Sequence, residues 1–131
     1  MPETEPVAPE CLEQLLADES IPVVHRALWA LLWDGELRLN ELLSVDVRDV
    51  DFAARMIRVD YPVRSRRSPL VPFGDRAGRL LGEAIGDAVD GPALHRDGRP
   101  LGRHEAADRA RRAGVAIHGF RLGGQGSRVA V

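Results

Sequence analysis

Apolar residues recur at three- to four-residue steps before position 45 and after position 75, and at a shorter period in between. The first block predicts a short helix over 9–19, with Leu12, Leu15 and Leu16 on one face. Ser20 reads as an N-cap and Pro22 as a first-turn residue of the next helix, which runs to about 34. In it Val24, Leu28, Leu31 and Leu32 recur at helical spacing, with Trp29 and Trp33 four apart. A helix apolar nearly all round belongs at the centre of a core. His25, beside Arg26, reads as a rim residue, and Asp34-Gly35 ends the helix. A short helix over 39–44 follows.

The period then shortens. Val45, Val47, Val50, Phe52, Met56, Ile57 and Val59 predict short β segments with a turn near 51–55. Leu70-Val71-Pro72 predicts an edge strand, where proline is tolerated. Helical spacing returns over 75–89, through Leu80, Leu81, Ala84, Ile85 and Ala88. Asp97-Gly98-Arg99-Pro100 marks a turn, and 102–113 a helix closed by Gly114. The glycines at 123, 124 and 126 disfavour a helix after that point. The expectation is an α+β domain, mainly helical, with a small three-stranded antiparallel sheet. Its boundaries are an acidic, disordered leader at 1–8, one domain over 9–122, and a flexible tail at 123–131.

With 131 residues, 44% of them hydrophobic, the chain supports one globular core rather than disorder. No apolar run approaches the roughly 20 residues of a membrane helix, and the acidic start differs from a signal peptide. One cysteine, Cys11, excludes an internal disulfide and reads as a small core side chain. The expected compartment is the cytoplasm. His95 and His104 lack carboxylate or thiol partners at ligand spacing, so no metal or other cofactor is expected. All 18 basic side chains are arginines. From Gly91 onward eight arginines face three acids, a surplus of five positive charges compatible with a polyanion.

Two distant segments carry the candidate chemistry: Gly35-Glu36-Leu37-Arg38-Leu39-Asn40-Glu41-Leu42 and His118-Gly119-Phe120-Arg121. Their order, with a sheet and two helices between them, resembles the catalytic domain of tyrosine recombinases, the phage integrase family. The first segment is similar to that family's Gly-Leu-Arg-Ile-Ser-Glu-Leu type of sequence, with one extra residue before the arginine. The second fits its His-x-x-Arg box.

The resemblance implies a fold, a partner and a site. Double-stranded DNA is the implied partner. In the family a tyrosine attacks a DNA phosphodiester, and two arginines hold the non-bridging oxygens. A histidine helps to manage protons, and a lysine on the β-hairpin protonates the leaving oxygen. Arg38, His118 and Arg121 then correspond to the catalytic set. Arg64, Arg66 and Arg67 are the nearest candidates at the hairpin position, and Arg103, Arg109 and Arg112 of the helix over 102–113 are further expected phosphate contacts.

The departures are equally specific. The chain has no lysine, Leu122 stands where the family has a histidine, and the single tyrosine, Tyr61, lies in the sheet region. Arginine holds phosphate but is a poor general acid, since its pKa exceeds about 12. The expectation is a truncated, degenerate, catalytically inactive domain with weak phosphate-directed DNA binding. The alternatives are a protein-interaction module, or a subunit completed by the tyrosine of a recombinase partner. The bland readings also stay open: Arg38 and Glu41 as a surface ion pair, His118 as a cap, and the arginine hairpin as a solvated turn.

Overall fold

The computed structural model describes residues 4–35, 37–59 and 69–129, with side chains to 126. The hairpin arginines Arg64, Arg66 and Arg67, and Tyr61, lie outside the described residues.

Helix α1, Pro9–Ala17, begins with proline at its first helical position and buries Leu12 and Leu16. The chain turns at Asp18, whose carboxylate accepts from both the backbone N–H and the hydroxyl of Ser20. Ser20 thus closes the turn instead of capping α2, Val23–Asp34, and Pro22 takes the N-cap position. Arg26 ties the same corner by donating from Nε to the Ile21 carbonyl at 2.9 Å.

Helix α2 is the core. Ala27, Leu28 and Trp29 have no exposed surface, and Ala30, Leu31 and Leu32 have almost none. Full burial of one indole contributes at most about 4–6 kcal/mol of transfer free energy. Helices α1, α4 (Asp75–Ile85) and α6 (Gly119–Val129) pack around α2.

Helix α3, Leu39–Leu43, leads through a tight turn at Val47–Asp49 into the sheet. Strands β1 (Val50–Asp51), β2 (Met56–Arg58) and β3 (Leu70–Pro72) run antiparallel in that order. Val50 opposes Ile57, and Ile57 opposes Val71. The pleat sends Ile57 and Val71 into the core, while Pro72 lies on an edge strand where its missing N–H is harmless.

The fold joins α2 to α4 through Asp34, whose carboxylate accepts the Gly74 N–H at 2.7 Å. Helix α4 stops at Ile85, short of the expected 89, because Gly86 turns the backbone to φ +63°. The turn at 97–100 is a full hairpin of β4 (His95–Arg96) and β5 (Arg99–Pro100). Asp97 and Gly98 both have positive φ, the geometry that Asp-Gly favours in a two-residue loop. Helix α5, Arg103–Arg112, buries only Ala106 and Ala110 and ends at Gly114.

Two expectations at the chain ends give way. The glycines at 123, 124 and 126 lie inside α6, which runs to Val129. Propensity is overridden there because Gly123 and Gly124 lie against Trp33 of α2, with no room for a β-carbon. At the other end, Val7 is buried in the core and donates its N–H to the Gly119 carbonyl at 2.8 Å. Acidic neighbours do not prevent one apolar residue from anchoring the segment.

Candidate phosphate-gripping site

Arg38 occupies the N-cap position of α3, with an extended backbone and an exposed side chain. Its neighbours Leu37 and Leu39 are both buried, so alternation aims the guanidinium outward. Glu41 accepts the Arg38 backbone N–H at 2.9 Å. The Arg-x-x-Glu spacing therefore serves helix initiation: a carboxylate at the third helical position satisfies a free N–H at the start. Glu41 is architectural and sets the turn from which Arg38 projects.

His118 and Arg121 flank the start of α6. His118 is exposed, and its carbonyl accepts the Leu122 N–H at 3.4 Å as the helix begins. Phe120 points inward, has no exposed surface, and stacks on Trp29 with ring centroids 5.0 Å apart. That stack fixes the rotation of α6 and leaves Arg121 on the flank of the helix. The Arg121 Nε–H is out of contact with solvent and has no hydrogen-bond partner among the described residues. A desolvated, unpaired donor of a charged group costs at least about 1–3 kcal/mol. The first turn of α6 carries no acidic side chain, so the positive end of its dipole is uncompensated there. An anion placed beside it would gain both the Nε–H and the helix field.

The two arginines ride on elements anchored to the C-terminal half of α2. Arg38 follows Gly35, the residue that ends α2. Arg121 is held by the contacts of Phe120 with Trp29 and of Gly124 with Trp33.

The arginines of α5 differ in setting. Arg103 and Arg112 are exposed, while Arg109 is half-buried. Hydrogen bonds from Ser20 hold the Asp18 carboxyl below its ordinary value, and the charge of Arg109 adds to that effect. The positive charge of Arg109 is thus felt at the corner between α1 and α2. Arg111 pairs with Asp108, and Arg96 of the hairpin pairs with Glu105.

His25 corrects the rim reading. It is 2% exposed, with Nδ1 unpartnered among the described residues, and its ring lies 6.2 Å from that of Trp29. Burial pushes its pKa down to about 4; Glu105 opposes the shift, and Arg109, Arg96 and Arg112 add to it. The signal was present in the sequence, since position 25 lies within an apolar helix one turn before Trp29. Among the described residues no His, Cys, Asp and Glu side chains cluster as a metal site would need. No described helix is long and apolar enough to cross a membrane.

A family model described as "Phage integrase family" matches residues 7–119. Over 105 residues the chain is 30% identical to tyrosine recombinase XerC of Pelobacter propionicus, covering 80% of this chain and 33% of that protein. It is 29% identical over 105 residues to tyrosine recombinase XerC of Chromobacterium violaceum, covering 76% of this chain and 34% of that protein. The chain thus spans about a third of the length of these curated relatives. The XerA recombinase crystal structure superposes with a TM-score of 0.74 at 19% identity, covering 98% of this chain and 51% of that one. The Tn1549 transposon integrase, solved in complex with transposon right end DNA, gives a TM-score of 0.74 at 14% identity over 100% of this chain and 55% of that one. These likenesses agree with the mainly helical domain and its small three-stranded sheet.

Proposed function

The chain belongs to the phage integrase family, and from that premise we propose that it is a recombinase-like domain that grips DNA phosphates without cutting DNA by itself. The observation that carries this reading is the desolvated, unpaired Nε–H of Arg121 at the start of α6. A phosphodiester oxygen is the acceptor that would relieve it. Arg38 would supply a second guanidinium to the same phosphate, and His118 a hydrogen bond. Arg64, Arg66, Arg67, Arg103, Arg109 and Arg112 would contact the flanking backbone, with Arg109 reaching least because it is half-buried. Such contacts position DNA without reading its sequence. Support comes from relatives named tyrosine recombinase and from a fold neighbour solved with DNA. The expected compartment is the cytoplasm.

The proposed inactivity rests on the side chains within these 131 residues. Covalent cleavage needs a nucleophile in line with the phosphorus and an acid for the leaving oxygen. Without a lysine the second role has no ordinary holder, and the lone tyrosine, Tyr61, lies between β2 and β3 in sequence. The remaining residues would stabilise charge on a phosphate that nothing in the chain attacks.

Fluorescence anisotropy with a short duplex tests the reading. Binding is expected at about 50 mM salt and should fall steeply by about 200 mM, as counterion release requires. The double variant Arg38→Ala/Arg121→Ala should bind more weakly and with a shallower salt slope. No binding of the intact chain at the lower salt would remove the DNA reading. A covalent DNA adduct formed by this chain alone would remove the inactivity reading.

A further inference from the structure

In a helix interior, each glycine is less favourable than alanine by about 1 kcal/mol. Gly119, Gly123 and Gly124 nevertheless fall in the first two turns of α6. Their surroundings explain them. A methyl group on Gly119 would overlap the carbonyl oxygen of Glu5 and press on Val7. On Gly123 it would overlap the Val7 carbonyl and stand 2.6 Å from the Trp33 ring, and on Gly124 it would overlap the Trp33 carbonyl. The backbone at 5–7 therefore crosses α6 in direct contact, one glycine per helical turn.

The crossing segment is a strap with one anchor. Val7 is buried, and its N–H holds the Gly119 carbonyl at 2.8 Å, between His118 and Arg121 in sequence. Glu5, Pro6 and Ala8 are exposed, and the outer side of the strap borders an open groove of about 700 Å³ lined also by Cys11, Arg111 and Val115. Helix α6 is thus clamped between two backbones: α2 at Trp33, which is core, and the strap, which has solvent behind it. Arg121 sits in the turn this clamp orients, with its Nε–H sealed from water.

We propose that residues 4–7 form a positioning strap for the His118–Arg121 turn, so that displacement of the chain entering at residue 4 is transmitted to the Arg121 guanidinium. Val7 and Gly119 are its positioning residues. The functional meaning rests on the phosphate reading of Arg121; the mechanical coupling does not. With the strap seated, α6 cannot roll without driving Gly119 and Gly123 into a peptide backbone. With the strap lifted, one wall is gone, and the buried Nε–H becomes free to hydrate.

Two glycines separate the effects. The nearest atoms to a methyl in Gly119→Ala all belong to the strap, whereas Gly126→Ala, on the same helix, meets nothing within 4 Å. In Gly119→Ala the Val7 amide should lose about tenfold or more of its hydrogen-exchange protection. The Arg121 Nε–H resonance should shift and exchange faster with water. Gly126→Ala should change neither. Loss of Val7 protection with an unmoved Arg121 resonance would overturn the proposal, as would a Val7 amide that stays protected. If Gly119→Ala does not fold, Val7→Pro, which removes the donor to the Gly119 carbonyl and leaves the α6 sequence unchanged, is scored on the Arg121 resonance and duplex affinity. Failure of both variants to fold also overturns it, because a strap that only positions α6 is dispensable for folding. Duplex affinity, read in parallel, should fall by about tenfold in Gly119→Ala, the worth of one charge-assisted hydrogen bond. If wild type binds no duplex at all, the phosphate reading fails, while the two resonances still decide the strap.

Discussion

Replacing His25 with leucine should remove most of the acid sensitivity of this domain above pH 4. His25 is 2% exposed in the central helix, and burial lowers its pKa from 6.5 to about 4. The unfolded chain therefore takes up the proton first. The stabilising contribution of the neutral ring is complete above pH 6.5, drains as the pH falls from 6.5 to 4, and is constant below that. A shift from 6.5 to about 4 corresponds to about 3 kcal/mol. That is a large share of the roughly 5–15 kcal/mol that holds a domain folded. Glu105 on α5 works against the shift, while Arg109 and Arg112 on α5 and Arg96 on β4 reinforce it. Asp18 and Asp46 do not confuse the window. Hydrogen bonds from Ser20 and Arg48 hold their carboxyls below 3.8, so their contributions are lost only at lower pH. Urea unfolding at several pH values between 7 and 4 reads the effect. Wild type should lose about 3 kcal/mol across that range, and His25→Leu should stay nearly flat. At pH 7 the variant should be as stable as wild type or more so, because it also removes the unpartnered Nδ1. An equal slope in both proteins would refute the assignment.

Three other perturbations probe the packing and the site. Gly124→Ala should destabilise by about 1–3 kcal/mol despite the better helix former, because its methyl meets the Trp33 carbonyl; an unchanged urea midpoint would refute this. Asp34→Ala removes the acceptor of the Gly74 N–H that starts α4 and should cost about 1–2 kcal/mol in urea unfolding, with a loss of only a few tenths counting against it. Arg121→Met keeps the apolar stem and removes the unpaired Nε–H. Its melting temperature without ligand should equal or exceed that of wild type, and inorganic phosphate should raise the wild-type midpoint alone. A clear drop in the unliganded midpoint would show that the guanidinium is satisfied within the protein.

The local signals set much of this molecule. Helical periodicity in 23–34 identified the central helix, because a stripe apolar on every side has nowhere to go but inside. Asp97-Gly98 specified its turn, and Gly114 its helix end, because positive φ is a property of single residues. The short helix after Arg38 was legible, but its start was not explained: the Arg38–Glu41 spacing fits a surface ion pair equally well until the Glu41 carboxylate is seen to accept the Arg38 N–H. The likeness of the two outlying motifs to the integrase family was legible for the same reason: each motif is short and contiguous. What the chain alone could not decide was every feature that depends on a distant neighbour. Gly123 and Gly124 look like helix breakers until Trp33 and the Val7 backbone are laid against them. Val7 looks like part of an acidic leader until the groove that receives it exists. For His25 the apolar helix around it hinted at burial, and the enclosure of its ring beside Trp29 decided it. Propensity acts over a few residues at about 1 kcal/mol each, whereas packing of one element on another contributes several times that, so the tertiary structure decides wherever the two disagree.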